Sequence, residues 1–175
     1  MTHQTEIPVT ITYLEMRSKP KDVNLNPPLQ HILIERVKEP PVPFYREMYH
    51  AVGEKWHWQE RKRLTDNQVK KIIQHPDVYI YTLRFEGRII GFSELDLRKK
   101  TDIELKYFGL VSEFIGRGYG NYFLHRTIQK AWELNPNRLW LHTCSLDHPR
   151  ALEFYEEAGF AVYKVETKTK IVPGM

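Results

Sequence analysis

A single mixed α/β domain is the fold class predicted by three features of the sequence. Residues 102–144 read as strand, glycine-containing loop, amphipathic helix and strand, an order that favours parallel pairing of the two strands. Residues 78–97 alternate in the manner of a hairpin around Glu86-Gly87. Two stretches of helical apolar spacing, 44–56 and 65–73, come before the hairpin. The chain has 175 residues, 41% hydrophobic and 27% charged, which suffices for one packed core and excludes disordered and collagen-like classes.

Taken in order, Val9 to Leu14 reads as a strand, followed by a polar loop to Pro27-Pro28. His31 to Val37 reads as a second strand, stopped by Pro40-Pro41-Val42-Pro43. Phe44, Tyr45, Met48, Tyr49, Val52 and Trp56 then form one face of a helix. Thr65 and Gln68 carry the capping-box spacing, Val69, Ile72 and Ile73 supply a buried face, and His75-Pro76 ends that helix. After the hairpin, a strand runs over about 102–111. Phe123, Leu124, Thr127, Ile128, Ala131 and Trp132 make the next helical stripe, broken by Asn135-Pro136-Asn137. Leu139 to Cys144 is an apolar strand. Asp147 or His148 is expected to cap a last helix closed by Gly159, before a final strand from Phe160 to about Val172.

One cysteine, Cys144, excludes an intramolecular disulfide and a multi-cysteine zinc site, and no metal is expected. No apolar run reaches the length of a membrane span, and MTHQTEIPVT lacks the pattern of a signal peptide. The expectation is a cytoplasmic protein without a membrane partner. Net charge is +4, but the basic residues occur only in short groups such as Arg61-Lys62-Arg63 and Arg98-Lys99-Lys100, read as solvated faces. A nucleic-acid-binding module would interleave aromatics with Lys and Arg on an exposed surface. Here the aromatics follow core periodicity, so no nucleic acid is expected.

Gly116, Gly118 and Gly120 alternate between a strand and a helix. Glycines let a ligand approach the backbone closely, and a helix N-terminus presents free N–H groups, so the pair suits phosphate. A tight turn needing positive φ is the competing reading. The dinucleotide fingerprint fails at its third glycine, and no Lys-Ser/Thr follows to make a P-loop.

The segment Ile115-Gly116-Arg117-Gly118-Tyr119-Gly120 resembles the pyrophosphate loop of the GCN5-related N-acetyltransferase (GNAT) family, Arg/Gln-x-x-Gly-x-Gly/Ala, with Ile115 departing at the first position. His148 to Phe160 resembles that family's Asn-x-x-Ala-x-x-x-Tyr-x-x-x-Gly-Phe pattern, with His148 in place of Asn. The resemblance implies the GNAT-like acyl-CoA N-acyltransferase fold: a mixed, mostly antiparallel sheet flanked by helices, whose parallel fourth and fifth strands splay apart. Those strands correspond here to 102–111 and 139–144. It implies one domain over 1–175, with 78–160 as the acetyl-CoA-binding core and 1–30 as an N-terminal extension.

The same resemblance implies acetyl-CoA as co-substrate, held by backbone near Leu110 and Val111 and by Gly116, Arg117, Gly118, Tyr119, Gly120, Asn121 and His148. It further implies that the acceptor is a primary amine, on a small molecule or a protein, attacking directly in a ternary complex. A protonated amine cannot attack, so a base is needed. Glu104 is assigned that role, with an ion pair to Lys106 as the competing reading and His142 as another base. Tyr155 corresponds to the family tyrosine that protonates the departing thiolate. Cys144 as a covalent nucleophile is disfavoured, because the family transfers directly. Trp56, Trp58, Glu94, Asp96 and His142 are candidates for the acceptor site, the two carboxylates by attracting a cation. Alternatives are another acyl-CoA, a hydroxyl acceptor, or an acyl-CoA-binding regulator without catalysis. A homodimer is open.

Overall fold

The computed structural model describes residues 4–23, 25–28 and 31–173. Among these residues, seven strands form one sheet in the order β2-β3-β4-β5-β6-β1-β7, from β1 (Gln4–Met16), β2 (Ile32–Val37), β3 (Val78–Phe85), β4 (Arg88–Asp96), β5 (Asp102–Leu110), β6 (Arg138–Cys144) and β7 (Ala161–Pro173). Helices α1 (Val42–Gly53) and α2 (Asp66–Ile73) cover one face, and α3 (Tyr119–Trp132) and α4 (Ala151–Glu157) belong to the other. All pairings are antiparallel except β5–β6, which agrees with the expected mixed sheet.

Local chemistry explains the elements. Thr65 Oγ1 accepts from the Gln68 N–H while the Gln68 side chain accepts from the Thr65 N–H, the reciprocal cap that the spacing predicts for α2. Glu86 (φ 49°) and Gly87 (φ 80°) turn the β3–β4 hairpin. Helix α4 differs from expectation: Arg150 is its N-cap, and His148 instead accepts from the Arg150 N–H through Nδ1 at 3.1 Å.

Gln4–Met16 lies inside the sheet, antiparallel to both β6 and β7. The reading of residues 1–30 as an extension does not anticipate that placement; its residues 1–3, 24 and 29–30 lie outside the described set. Val9, Ile11, Leu14 and Met16 are buried at alternating or near-alternating positions. Residues 4–9 run past the end of β6 and pair with β7 alone, giving a two-stranded ribbon there.

Two irregularities position the site. β5 and β6 pair only from Asp102/Arg138 to Glu104/Trp140, then separate. In the β4–β5 pairing, Glu94 opposes Tyr107 and Leu95 opposes Leu105, which leaves Lys106 as a bulge. The extra residue switches faces: Ile103 and Leu105 pack toward α3, whereas Tyr107 packs toward α1 and α2.

Candidate active site

The gap between β5 and β6 opens into a cleft of about 880 Å³, bounded by the α1–α2 connection, the glycine loop, the start of α4 and the β1–β7 ribbon. Its chemistry starts with the backbone. Val111 N–H donates to Ile90 O at 2.8 Å, and Val111 O accepts from Phe114 N–H at 3.0 Å, so both groups of Val111 are consumed. Alternation along the strand then turns the N–H and C=O of Leu110 and Phe108 toward the cleft. The expected use of Val111 backbone is corrected, since both its groups are already paired; Leu110 keeps its expected free groups, and Phe108 joins it.

Gly116 (φ 80°) and Gly118 (φ 87°) take left-handed backbone, and a Cβ at either would meet nothing within 4 Å. Gly118 is also the N-cap of α3 and offers no side-chain cap, so the first-turn N–H groups of Tyr119, Gly120 and Asn121 lack intrahelical partners. Gly116, Gly118, Gly120 and Asn121 line the cleft. Open space above unpaired N–H donors is the arrangement a pyrophosphate requires, so these residues fit the diphosphate and pantetheine of a CoA thioester. Two side chains of the loop point elsewhere. Arg117 lies over the Phe114 ring at 5.6 Å, and Tyr119 is buried against Phe85 and Phe114. Their expected contribution therefore reduces to backbone.

Tyr155 lines the cleft, half-buried beside Phe108, Phe154 and Phe160, and its hydroxyl makes no hydrogen bond among the described residues. Burial and, secondarily, the Asp147 carboxylate push its pKa well up, so the phenol keeps its proton at neutral pH. His148 also lines the cleft and meets Trp56 edge-on, with ring centroids 5.4 Å apart.

On the α1–α2 face, Glu104 Oε1 is 3.9 Å from both Lys106 Nζ and His142 Nε2. Lys106 and His142 line the cleft, and Glu104 stands behind them. Burial raises the Glu104 pKa against the pull of Lys106, with Asp96 and Glu60 adding to the rise. Burial, then Lys106 and Lys170, lower the His142 pKa, leaving a neutral imidazole. The long Glu104–Lys106 separation makes their ion pair weak, and Lys106 sits closer to Glu60, at 3.3 Å.

Two acceptor-site expectations are corrected. Glu94 is 1% exposed; its oxygens accept from Arg61 Nη2 at 2.7 Å and from Tyr45 OH at 2.6 Å, so it is spent inside the fold. Asp96 is bound by Arg98 at 2.7 Å and does not line the cleft. Trp56, Trp58 and His142 do line it. The reading of Arg61-Lys62-Arg63 as a solvated group also fails at Arg61, which is 3% exposed. Burial opposes that charge, but Glu94, Tyr45 and Tyr107 together outweigh it and hold the guanidinium protonated. Glu60, Arg63 and Lys106 also line the cleft, with no motif to mark them. The one local signal for Glu60 is its place beside a tryptophan-rich turn, whereas Lys106 faces the cleft because of the bulge.

These features agree with the comparisons. The Acetyltransferase (GNAT) family model matches residues 35–160, and the chain belongs to that family. An uncharacterized N-acetyltransferase of Mycobacterium bovis is 27% identical over 104 residues, 59% of this chain and 66% of the relative, just under two thirds of its length. Among solved structures, a GNAT-family protein from Novosphingobium aromaticivorans superposes with TM-score 0.66 at 17% identity, covering 98% of this chain and 68% of that one. An aminoglycoside acetyltransferase from an uncultured soil metagenomic sample has TM-score 0.60 at 16% identity, covering 74% and 88%. Those likenesses show the fold. No helix among the described residues is long and apolar enough to cross a membrane, and none of their His, Cys, Asp and Glu groups is placed to hold a metal.

Proposed function

We propose that the protein is an N-acetyltransferase that moves an acetyl group from acetyl-CoA to a primary amine within a ternary complex. The observation that carries this reading is the splay of β5 from β6: unpaired donors of the glycine loop lie at one side of the gap, and the Glu104–His142 pair lies at the other. Acetyl-CoA bound there supplies a thioester; the N–C bond to the acceptor forms as the C–S bond breaks, yielding the N-acetylated acceptor and CoA thiol.

The chain's own groups supply what that exchange needs. Glu104 takes the ammonium proton through a water beside the neutral His142, and its raised pKa brings it nearer the operating pH of a general base. Leu110 N–H faces the cleft to stabilise negative charge on the carbonyl oxygen. Tyr155, kept protonated by burial, gives its proton to the departing sulfur. Trp56 and Trp58 wall the acceptor side. The reducing, CoA-containing cytoplasm is the compartment this chemistry suits. Incubation with acetyl-CoA and a panel of amines, followed by free-thiol release, tests the assignment. Thiol release that requires the amine supports it, and release at the same rate without any amine overturns it.

A further inference from the structure

We propose that the acceptor carries an oxyanion of its own, a carboxylate or phosphate near the amine, held at the cleft by Arg63 and Lys170. This rests on the transferase reading and names its substrate class.

Arg63 lies in the short helical turn 61–63 and Lys170 in β7, far apart in sequence, yet both line the cleft. A side-chain hydrogen bond joins the two segments: Arg63 Nη2 donates to Ile171 O at 3.3 Å, fastening the turn to the ribbon beside Lys170. Lys170 Nζ lies 3.6 Å from Cys144 Sγ, on the strand that also presents His142. Neither cation has a carboxylate partner among the described residues, whereas Lys106 is shared between Glu60 and Glu104. Asp147, which follows β6 and lines the cleft, is taken up by Thr143 Oγ1 and Cys144 N–H.

The cations lie on the acceptor side. Arg63 belongs to the α1–α2 connection, and the glycine loop opens at the start of α3 on the other face. The acidic residues expected to attract a simple cationic amine, Glu94 and Asp96, are turned away. Glu60 and Glu157 also line the cleft, with Glu60 already shared by Lys106, so an acceptor with only an ammonium gains nothing from Arg63 and Lys170. One bearing its own oxyanion would meet complementary charges there, and a guanidinium beside an ammonium suits carboxylate or phosphate.

The test compares α- and ω-amino acids, their amides and the matching aminophosphonates as acceptors, by thiol release and by calorimetric binding to the CoA-loaded protein. The expected result is a preference of tenfold or more for the anionic members over their amides. That ratio should fall by about tenfold in Arg63→Gln and in Lys170→Gln, and stay unchanged in Lys62→Gln, whose exposed side chain does not line the cleft. The carboxylate and phosphonate arms show which oxyanion is preferred. Amides bound and turned over as well as acids, or a ratio unmoved by both substitutions, would overturn the proposal. Preferential binding of anionic amines without thiol release would overturn the transferase reading and leave the anion subsite standing.

Discussion

At Glu104, burial and a neighbouring ammonium pull in opposite directions, and burial wins because Lys106 is 3.9 Å away and closer to Glu60. A carboxyl whose folded pKa is raised contributes stability below its unfolded pKa and loses it as pH rises through the folded value. Ionised Glu104 therefore strains the fold near neutrality. Glu104→Gln should not lower the melting temperature at pH 7, and any gain over wild type should vanish near pH 4. Turnover should fall most near neutrality and partly recover at alkaline pH, where more of the amine is already deprotonated. Melting curves and pH–rate profiles of the two proteins check both statements; a stable variant with the wild-type profile would move the proton to His142. Tyr155→Phe keeps the packing against Phe108 and Phe160 but removes the hydroxyl proposed as the acid. Turnover should drop on the order of 10²-fold with acetyl-CoA affinity little changed, as read by steady-state kinetics and calorimetry.

At the scale of elements, the glycine loop separates backbone strain from ligand space. A Cβ at Gly120 would stand 3.6 Å from Leu110 Cδ1 and 3.7 Å from Phe154 Cζ, ordinary contact distances at an unremarkable φ. Gly120→Val should fold, yet its branched side chain would enter the cleft where the diphosphate is proposed to sit. Acetyl-CoA affinity should fall tenfold or more, about 1.4 kcal/mol, by calorimetry. Gly118→Ala makes the opposite case: nothing blocks the Cβ, but φ 87° costs an L-residue on the order of 1–2 kcal/mol, read as a lower denaturation midpoint. The α1–α2 connection is fastened to the sheet by Arg61 and Glu94. Replacing Glu94 with Gln leaves a buried guanidinium without its counter-charge, for a loss of about 3 kcal/mol or more in denaturant unfolding. The Thr65–Gln68 cap and the hairpin turn are legible in the sequence because each depends on residues three apart or fewer. Arg61 reads as solvated because the partner that buries it is 33 residues away.

Across the whole molecule, the sheet depends on a strand from the beginning of the chain. β7 has β1 as its neighbour, and β6 meets β1 on the side away from β5. Deleting residues 1–16 should thus unpair two strands and expose Leu14's neighbours in the core. Loss of the cooperative unfolding transition is expected by circular dichroism, and a deletion that kept the wild-type melting curve would show β1 to be dispensable. Periodicity, turn chemistry and the two motifs determined the elements, the family and the glycine cradle, since each is written in residues close along the chain. Tertiary structure alone decided that β1 threads between β6 and β7, that the bulge turns Lys106 and Tyr107 toward α1 and α2, and that Glu94 is consumed by Arg61. It also brought Arg63 to Lys170. The physical reason is shared: strand order, a one-residue slip in register and the pairing of buried charges are contacts between distant residues. Such contacts are selected by the total burial and hydrogen bonding of the folded chain, and no single segment encodes them.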